Sequence, residues 1–255
     1  MTLFELIIEN EKAFHAPEVF ISGFHGLGSV GYISIKHLID EMKLERVAVL
    51  KSTAAPPFIS LTESGTIALA FEFYATNDYR VIFFFPRLPP YRHLETEFSD
   101  HLAEWVISKK FKQAILIGGV DKRLRDNPED GQIDSEKKIR YIPTKSYVKN
   151  FSTSKTIEDS LLTTGLFVQG PLAVMLANFD VYNFPAVGVL SYAERDRPDP
   201  EGAANAIQII NKIVNISCSV NELVKNAQIF EEEILKNARM FPSDDELDGP
   251  HETYT

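Results

Sequence analysis

Short apolar runs rich in β-branched and aromatic residues recur at 19–22, 46–50, 66–73, 81–85, 114–117 and 186–190. Stretches with helical spacing lie near 28–42, 93–110, 170–179, 201–216 and 220–238. This alternation predicts an α/β fold with a mostly parallel sheet covered by helices. Val81-Ile82-Phe83-Phe84-Phe85 is apolar at every position, as a central strand buried on both faces requires, and Pro86 ends it. No internal repeat and no Gly/Ser or Pro linker interrupts the pattern, so residues 1–238 read as a single α/β domain.

Within 220–238, Leu223, Ala227, Phe230, Ile234 and Ala238 recur at helical spacing, while Glu231, Glu232, Glu233 and Lys236 mostly face elsewhere. One apolar stripe needs one covering surface, either the protein's own core or a neighbouring subunit. The polar exception is 120–140, a long charged insertion after the strand that ends Ile117-Gly118-Gly119. A calcium loop starting at Asp126 would place Gly131 correctly. It meets Pro128 where a ligand is needed and Lys137 where the bidentate Glu belongs, so calcium is excluded.

Composition narrows the picture. At 255 residues, 44% hydrophobic and 24% charged, the chain reads as an ordinary soluble globule with room for a sizeable core. The lone cysteine, Cys218, allows neither an intramolecular disulfide nor a cysteine-based zinc site; it reads as a small apolar filler in a reducing cytoplasm. No run reaches the length of a membrane span, and the N-terminus has no basic segment followed by an apolar core. A net charge of -10 argues against general nucleic-acid affinity, which needs clustered Lys and Arg. Half of that charge falls on 243–255, where Asp244, Asp245, Glu246, Asp248 and Glu252 have no basic neighbour. Residues 239–255 therefore read as an acidic flexible tail.

Candidate chemistry begins with Gly23, Gly26, Gly28 and Gly31, four of 13 glycines within nine residues between a strand and a helix. Each raises the ordering cost by ~0.5–1 kcal/mol relative to Ala, so the cluster implies left-handed backbone, very close packing or a ligand against bare amides. Gly26-x-Gly28-x-x-Gly31 spells a dinucleotide fingerprint, but the strand ends three residues too early and the next strand runs into Lys51 and Ser52, with no carboxylate for a ribose. A tight strand-to-helix turn is the stronger reading. An anion held by the amides of 26–29 stays open beside it.

In an open α/β sheet, ligands collect at the carboxyl ends of the strands. Those ends place His25, Arg87, Asp121, Lys122, Arg123, Glu194, Arg195 and Asp196 on one rim. There is no Gly-x-Ser-x-Gly, no paired histidines for a metal and no cysteine nucleophile in the rim loops. His25 is the rim histidine, either hydrogen-bonded in a structural role or available for proton chemistry.

Gly23-Phe24-His25-Gly26-Leu27-Gly28-Ser29-Val30-Gly31 resembles the Gly-Phe-Pro-Gly-x-Gly-x-Val-Gly of the proteasome assembly chaperone family of the second type, with His25 in place of Pro. Further similar pieces are the helix at 32–42 with Leu38-Ile39, Pro56-Pro57, the ending at Gly119, Gly165-x-x-x-x-Gly170 and Asp199-Pro200-x-x-Ala203. Together they span roughly 15–238. The resemblance implies a three-layer α/β/α fold similar to phosphorylases and peptidyl hydrolases. It also implies a homo-oligomeric scaffold that binds proteins.

Archaeal members of that family are related to proteasome assembly, and some dock on the proteasome α-ring through a C-terminal hydrophobic-Tyr-x tail. Here the chain ends Thr253-Tyr254-Thr255. Tyr254 and the Thr255 carboxylate fit a tail that buries an aromatic ring and pairs its terminal charge; Thr253 departs from the hydrophobic position. The expectation is thus a non-enzymatic, cytoplasmic, homo-oligomeric chaperone acting on proteasome α-subunits or other clients. It has no cofactor, no metal and no nucleic-acid or membrane partner. The rival is an enzyme or small-ligand binder using Gly23, His25, Gly26, Gly28 and Gly31, assisted by Arg87 or Arg123.

Overall fold

A computed structural model describes residues 3–57, 59–62, 65–124, 138–151, 157, 160–225 and 232. The chain runs β1 (Glu5–Ile8), β2 (Val19–Gly23), α1 (Val30–Glu41), β3 (Glu45–Lys51), β4 (Ser60–Leu61), β5 (Ile67–Ala68), β6 (Phe71–Ala75) and β7 (Val81–Pro86). It continues α2 (Glu95–Ser108), β8 (Gln113–Asp121), β9 (Ile139–Pro143), α3 (Lys145–Asn150), α4 (Pro171–Val181), β10 (Ala186–Ala193), α5 (Pro200–Val214) and α6 (Asn221–Lys225). Among the described residues eight strands form one sheet in the order β1-β3-β6-β7-β2-β8-β10-β9, and β4 and β5 make a separate hairpin.

The centre of the sheet, β7-β2-β8-β10, is parallel. Its margins are antiparallel: β1, β3 and β6 on one side, β9 on the other. The physical reason is connection length. A parallel return needs a crossover, and α2 and α4 supply it between central strands, whereas β6 joins β7 through a short turn at 76–80. Three strands, β1, β4 and β9, lie where no strand was expected, and the apolar run at 66–73 divides into β5 and β6.

Two helical layers cover the sheet. Val81, Phe83 and Phe85 point to the layer of α1 and α5, while Ile82 and Phe84 point to the layer of α2 and α4. This period-two division fills both cores from one apolar run, the three-layer α/β/α arrangement. Helix α5 shows how the termini are fixed. Pro200 opens it, the Asp199 side chain accepts from Gly202 N at 2.7 Å, and Asn215 in a left-handed conformation closes it. Leu223, the first residue of the expected stripe, is buried against the α1/α5 core; the rest of that stripe lies outside the described residues. Among the described residues no helix is long and apolar enough to cross a membrane.

Candidate functional site

Because β7, β2, β8 and β10 run parallel, their carboxyl ends gather on one rim, as the alternation of the sequence predicts. The glycine turn lies at its middle. A Cβ on Gly23 would lie 2.4 Å from the Gly31 carbonyl oxygen, and one on Gly31 would lie 2.5 Å from that of Ile117. Helix α1 can therefore sit directly on the ends of β2 and β8. Gly28 holds φ at +62° beside Ala193, and its carbonyl accepts Asp199 N at 2.8 Å, tying the turn to the β10–α5 connection. The Ser29 amide donates to Gly26 O at 2.8 Å and the Val30 amide to Leu27 O, so these two donors are used within the turn. Gly26 differs: its backbone is extended and none of the described residues lies within 4 Å of its Cβ position.

On one side of the turn the His25 ring stacks on Tyr32 at 4.2 Å, and Tyr32 lies 5.4 Å from Phe85. His25 Nδ1 is buried with no hydrogen-bond partner among the described residues. Burial lowers the imidazole pKa to about 4, so the ring is neutral at pH 7. The Arg87 guanidinium lies 4.7 Å above Phe85 and donates from Nε to Glu72 Oε2 at 2.7 Å.

Glu72 is fully buried within the otherwise apolar Phe-Glu-Phe-Tyr-Ala of β6. Arg46 donates to its other oxygen at 3.0 Å and grips Glu9 with two further bonds; the Tyr74 hydroxyl donates to Glu72 at 3.0 Å. Burial opposes the charge on Arg87, but Glu72 and Tyr74 outweigh it and strengthen its hold on the proton. Burial, with the Glu72 charge beside it, pushes the Tyr74 phenol up to about 12. This carboxylate and two cations are locked into one arrangement.

The other side of the turn is open. Asp121 is held down to about 2 by its hydrogen bonds from Arg123, and Arg195 adds to the effect. Lys122 binds Glu194, which Arg197 also approaches at 3.4 Å; this lowers the Glu194 pKa. Asp196 acts on Arg123. A cleft of about 410 Å³ lies here between Lys122, Lys138, Glu194, Arg197 and Asp199.

The eight rim residues therefore fall into two groups. Asp121, Lys122, Arg123, Glu194, Arg195 and Asp196 gather on one side, and His25 reaches Arg87 on the other only through Tyr32 and Phe85. Arg87, expected to be available to a ligand, is engaged by Glu72. Glu72 itself was missed, although a carboxylate inside an apolar strand is a legible signal of a buried ion pair. Thr253, Tyr254 and Thr255 lie outside the described residues, as does most of the charged insertion.

A family model described as PAC2 matches residues 20–238. The chain belongs to the PAC2 family. The PAC2 fold is seen again in the crystal structure of Pyrococcus furiosus PbaA, described as an archaeal homolog of proteasome-assembly chaperone. That structure superposes with a TM-score of 0.74 at 22% identity, covering 92% of this chain and 99% of that one. Pyrococcus furiosus PbaB, described as an archaeal proteasome activator, matches with a TM-score of 0.67 at 17% identity over 94% of this chain and 100% of that one. In sequence, Uncharacterized protein MJ1210 of Methanocaldococcus jannaschii is 27% identical over 240 residues, 89% of this chain and 90% of that protein.

Proposed function

We propose that this PAC2 protein is a non-enzymatic, homo-oligomeric chaperone-like protein of the cytoplasm whose partners are proteasome α-subunits or other client proteins. Thr253, Tyr254 and Thr255 are its candidate docking residues. The observation that carries the reading is the packed glycine turn: where an α/β enzyme keeps open space at its central glycine turn, Gly23, Gly28 and Gly31 face protein atoms. Family membership and the fold shared with PbaA and PbaB support this class of partner.

The test is capture of proteasome α-subunits by the full chain, by Tyr254→Ala and by a chain stopped at Met240, with the mass of the full chain measured by light scattering. Reduced capture by both variants supports the docking residues. Equal capture by all three removes them from the mechanism, and absence of capture by any removes the proteasome.

A second reading rests on one feature, the unpartnered His25 Nδ1 beside the open side of Gly26. Calorimetry with phosphate, nucleosides and nicotinamide cofactors examines it. Gly26→Val is the appropriate variant, since Gly28→Val would strike Ala193 and fold poorly whatever the ligand. A micromolar ligand displaced by Gly26→Val would make the turn a binding site.

A further inference from the structure

The two edges of the sheet are treated differently. At β9, Tyr141 donates its amide to Ser160 O and accepts from Leu162 N, both at 2.9 Å, so a short segment caps that edge. At β1, no strand among the described residues pairs with the outer side. Glu9 N donates to Val47 O, which makes Glu9 and Val47 a hydrogen-bonded pair; by alternation Ile7 and Glu5 also face β3. The amides and carbonyls of Leu6 and Ile8 therefore point away from the sheet. Its four residues include no Lys or Pro; Glu9 and Asn10 both donate to Val47 O, a bulge that ends the strand, and Ile7 is left 49% and Ile8 37% exposed.

A groove of about 410 Å³ begins where β1 does, lined by Leu3, Phe4, His101, Glu104, Trp105 and Ser108. Its floor is aromatic, with Phe4 6.5 Å from Trp105. Its carboxylate is Glu104, 55% exposed; Glu104 and Glu97 flank His101 on α2 at 3.5 and 4.0 Å, while Glu5 on β1 faces Lys51 at 3.9 Å. We propose that this edge and groove take an extended segment of a partner protein bearing alternating apolar side chains and a lysine or arginine. The segment adds a strand against Leu6 and Ile8, and its apolar anchor covers Trp105. The basic residue answers Glu104, in keeping with a chain of net charge -10.

The inference rests on the protein-binding reading but names a surface apart from Thr253–Thr255. Its test contains no proteasome subunit, so the two stand or fall separately. The probe is a blocked nonapeptide, Lys-Thr-Val-Thr-Leu-Thr-Val-Phe-Lys, with a second version carrying Glu for Lys. Trp105 is the sole tryptophan, so its fluorescence reports the groove.

The expected result is a Trp105 emission shift with the lysine peptide and amide exchange slowed at least about tenfold at Leu6 and Ile8, but unchanged at Glu5 and Ile7. Ile8→Pro removes an outward donor without removing a bond to β3, and should weaken binding at least about tenfold with the melting temperature retained. Glu104→Lys, at the surface, keeps the test decisive if Ile8→Pro unfolds: it should reverse the preference between the two peptides. Unprotected Leu6 and Ile8 at saturating peptide, or equal binding of both peptides, overturns the proposal. So does a mass that doubles with the full chain and returns to monomer with Ile8→Pro, which would make the edge a contact between copies.

Discussion

Glu72 and Glu194 each lie between two cationic side chains, but Glu72 is fully buried on β6 and Glu194 is partly exposed just past β10. Burial changes what the same charge pattern does. Around Glu72, low dielectric makes each pairing strong and each unmade pairing costly, so Arg46, Arg87 and Tyr74 are held in one geometry. Around Glu194, water screens Lys122 and Arg197, and the side chains can exchange partners or release them. The first cluster is architecture that ties β1, β3, β6 and β7 together. The second is a partly exposed ion-pair cluster at the rim.

Removing Glu72 should separate the two most sharply. Glu72→Ala leaves two guanidinium groups without their shared buried partner and is expected to destabilise the fold by about 3–5 kcal/mol in urea denaturation. A loss near zero would mean the cluster is as labile as its surface counterpart.

The next effect concerns pH and lies beside the buried cluster. His25 has its folded pKa depressed to about 4 from the ordinary 6.5, so the unfolded chain binds the extra proton between these values. Its contribution is fully present above pH 6.5 and is lost as pH falls toward 4, by up to about 3 kcal/mol. His25→Gln should flatten the stability profile across that window. A profile unchanged in slope would show the ring to be solvated.

Smaller still, Tyr74→Phe deletes one hydroxyl that donates to Glu72 and accepts from Arg87, and should cost about 1.5–3 kcal/mol. At the other end, Glu194→Ala should leave the melting temperature unchanged. Any residual effect should vanish in about 1 M salt, where screening extends to a few ångströms. A clear destabilisation there would erase the distinction between the two carboxylates.

Much of this layout was legible beforehand. Val81 to Phe85 announced a strand buried on both faces, and Phe83 and Phe84 do point into opposite cores. Asp199-Pro200 announced a helix start and caps one. The antiparallel margins were harder to read, because β1 is four exposed or half-buried residues without a clean period, and β9, though Ile139 and Tyr141 are buried, is five residues directly after the charged insertion. The rim residues were named correctly as a set, but their division was not. Arg87 and Lys122 look alike in sequence, and only their neighbours distinguish a committed cation from an open one.

Local spacing and residue type thus determined which segments became strands and helices, where they stop, and that four glycines meet at one turn. Those properties depend on backbone conformation and on burial repeating every two or three and a half residues, which a chain carries within a few residues of itself. Tertiary structure alone decided that Gly31 would rest on Ile117, that Glu72 would find Arg46 and Arg87, and that among the described residues β1 would be an edge strand. Each depends on atoms far apart in the chain being brought within a few ångströms, where sterics and dielectric act through space.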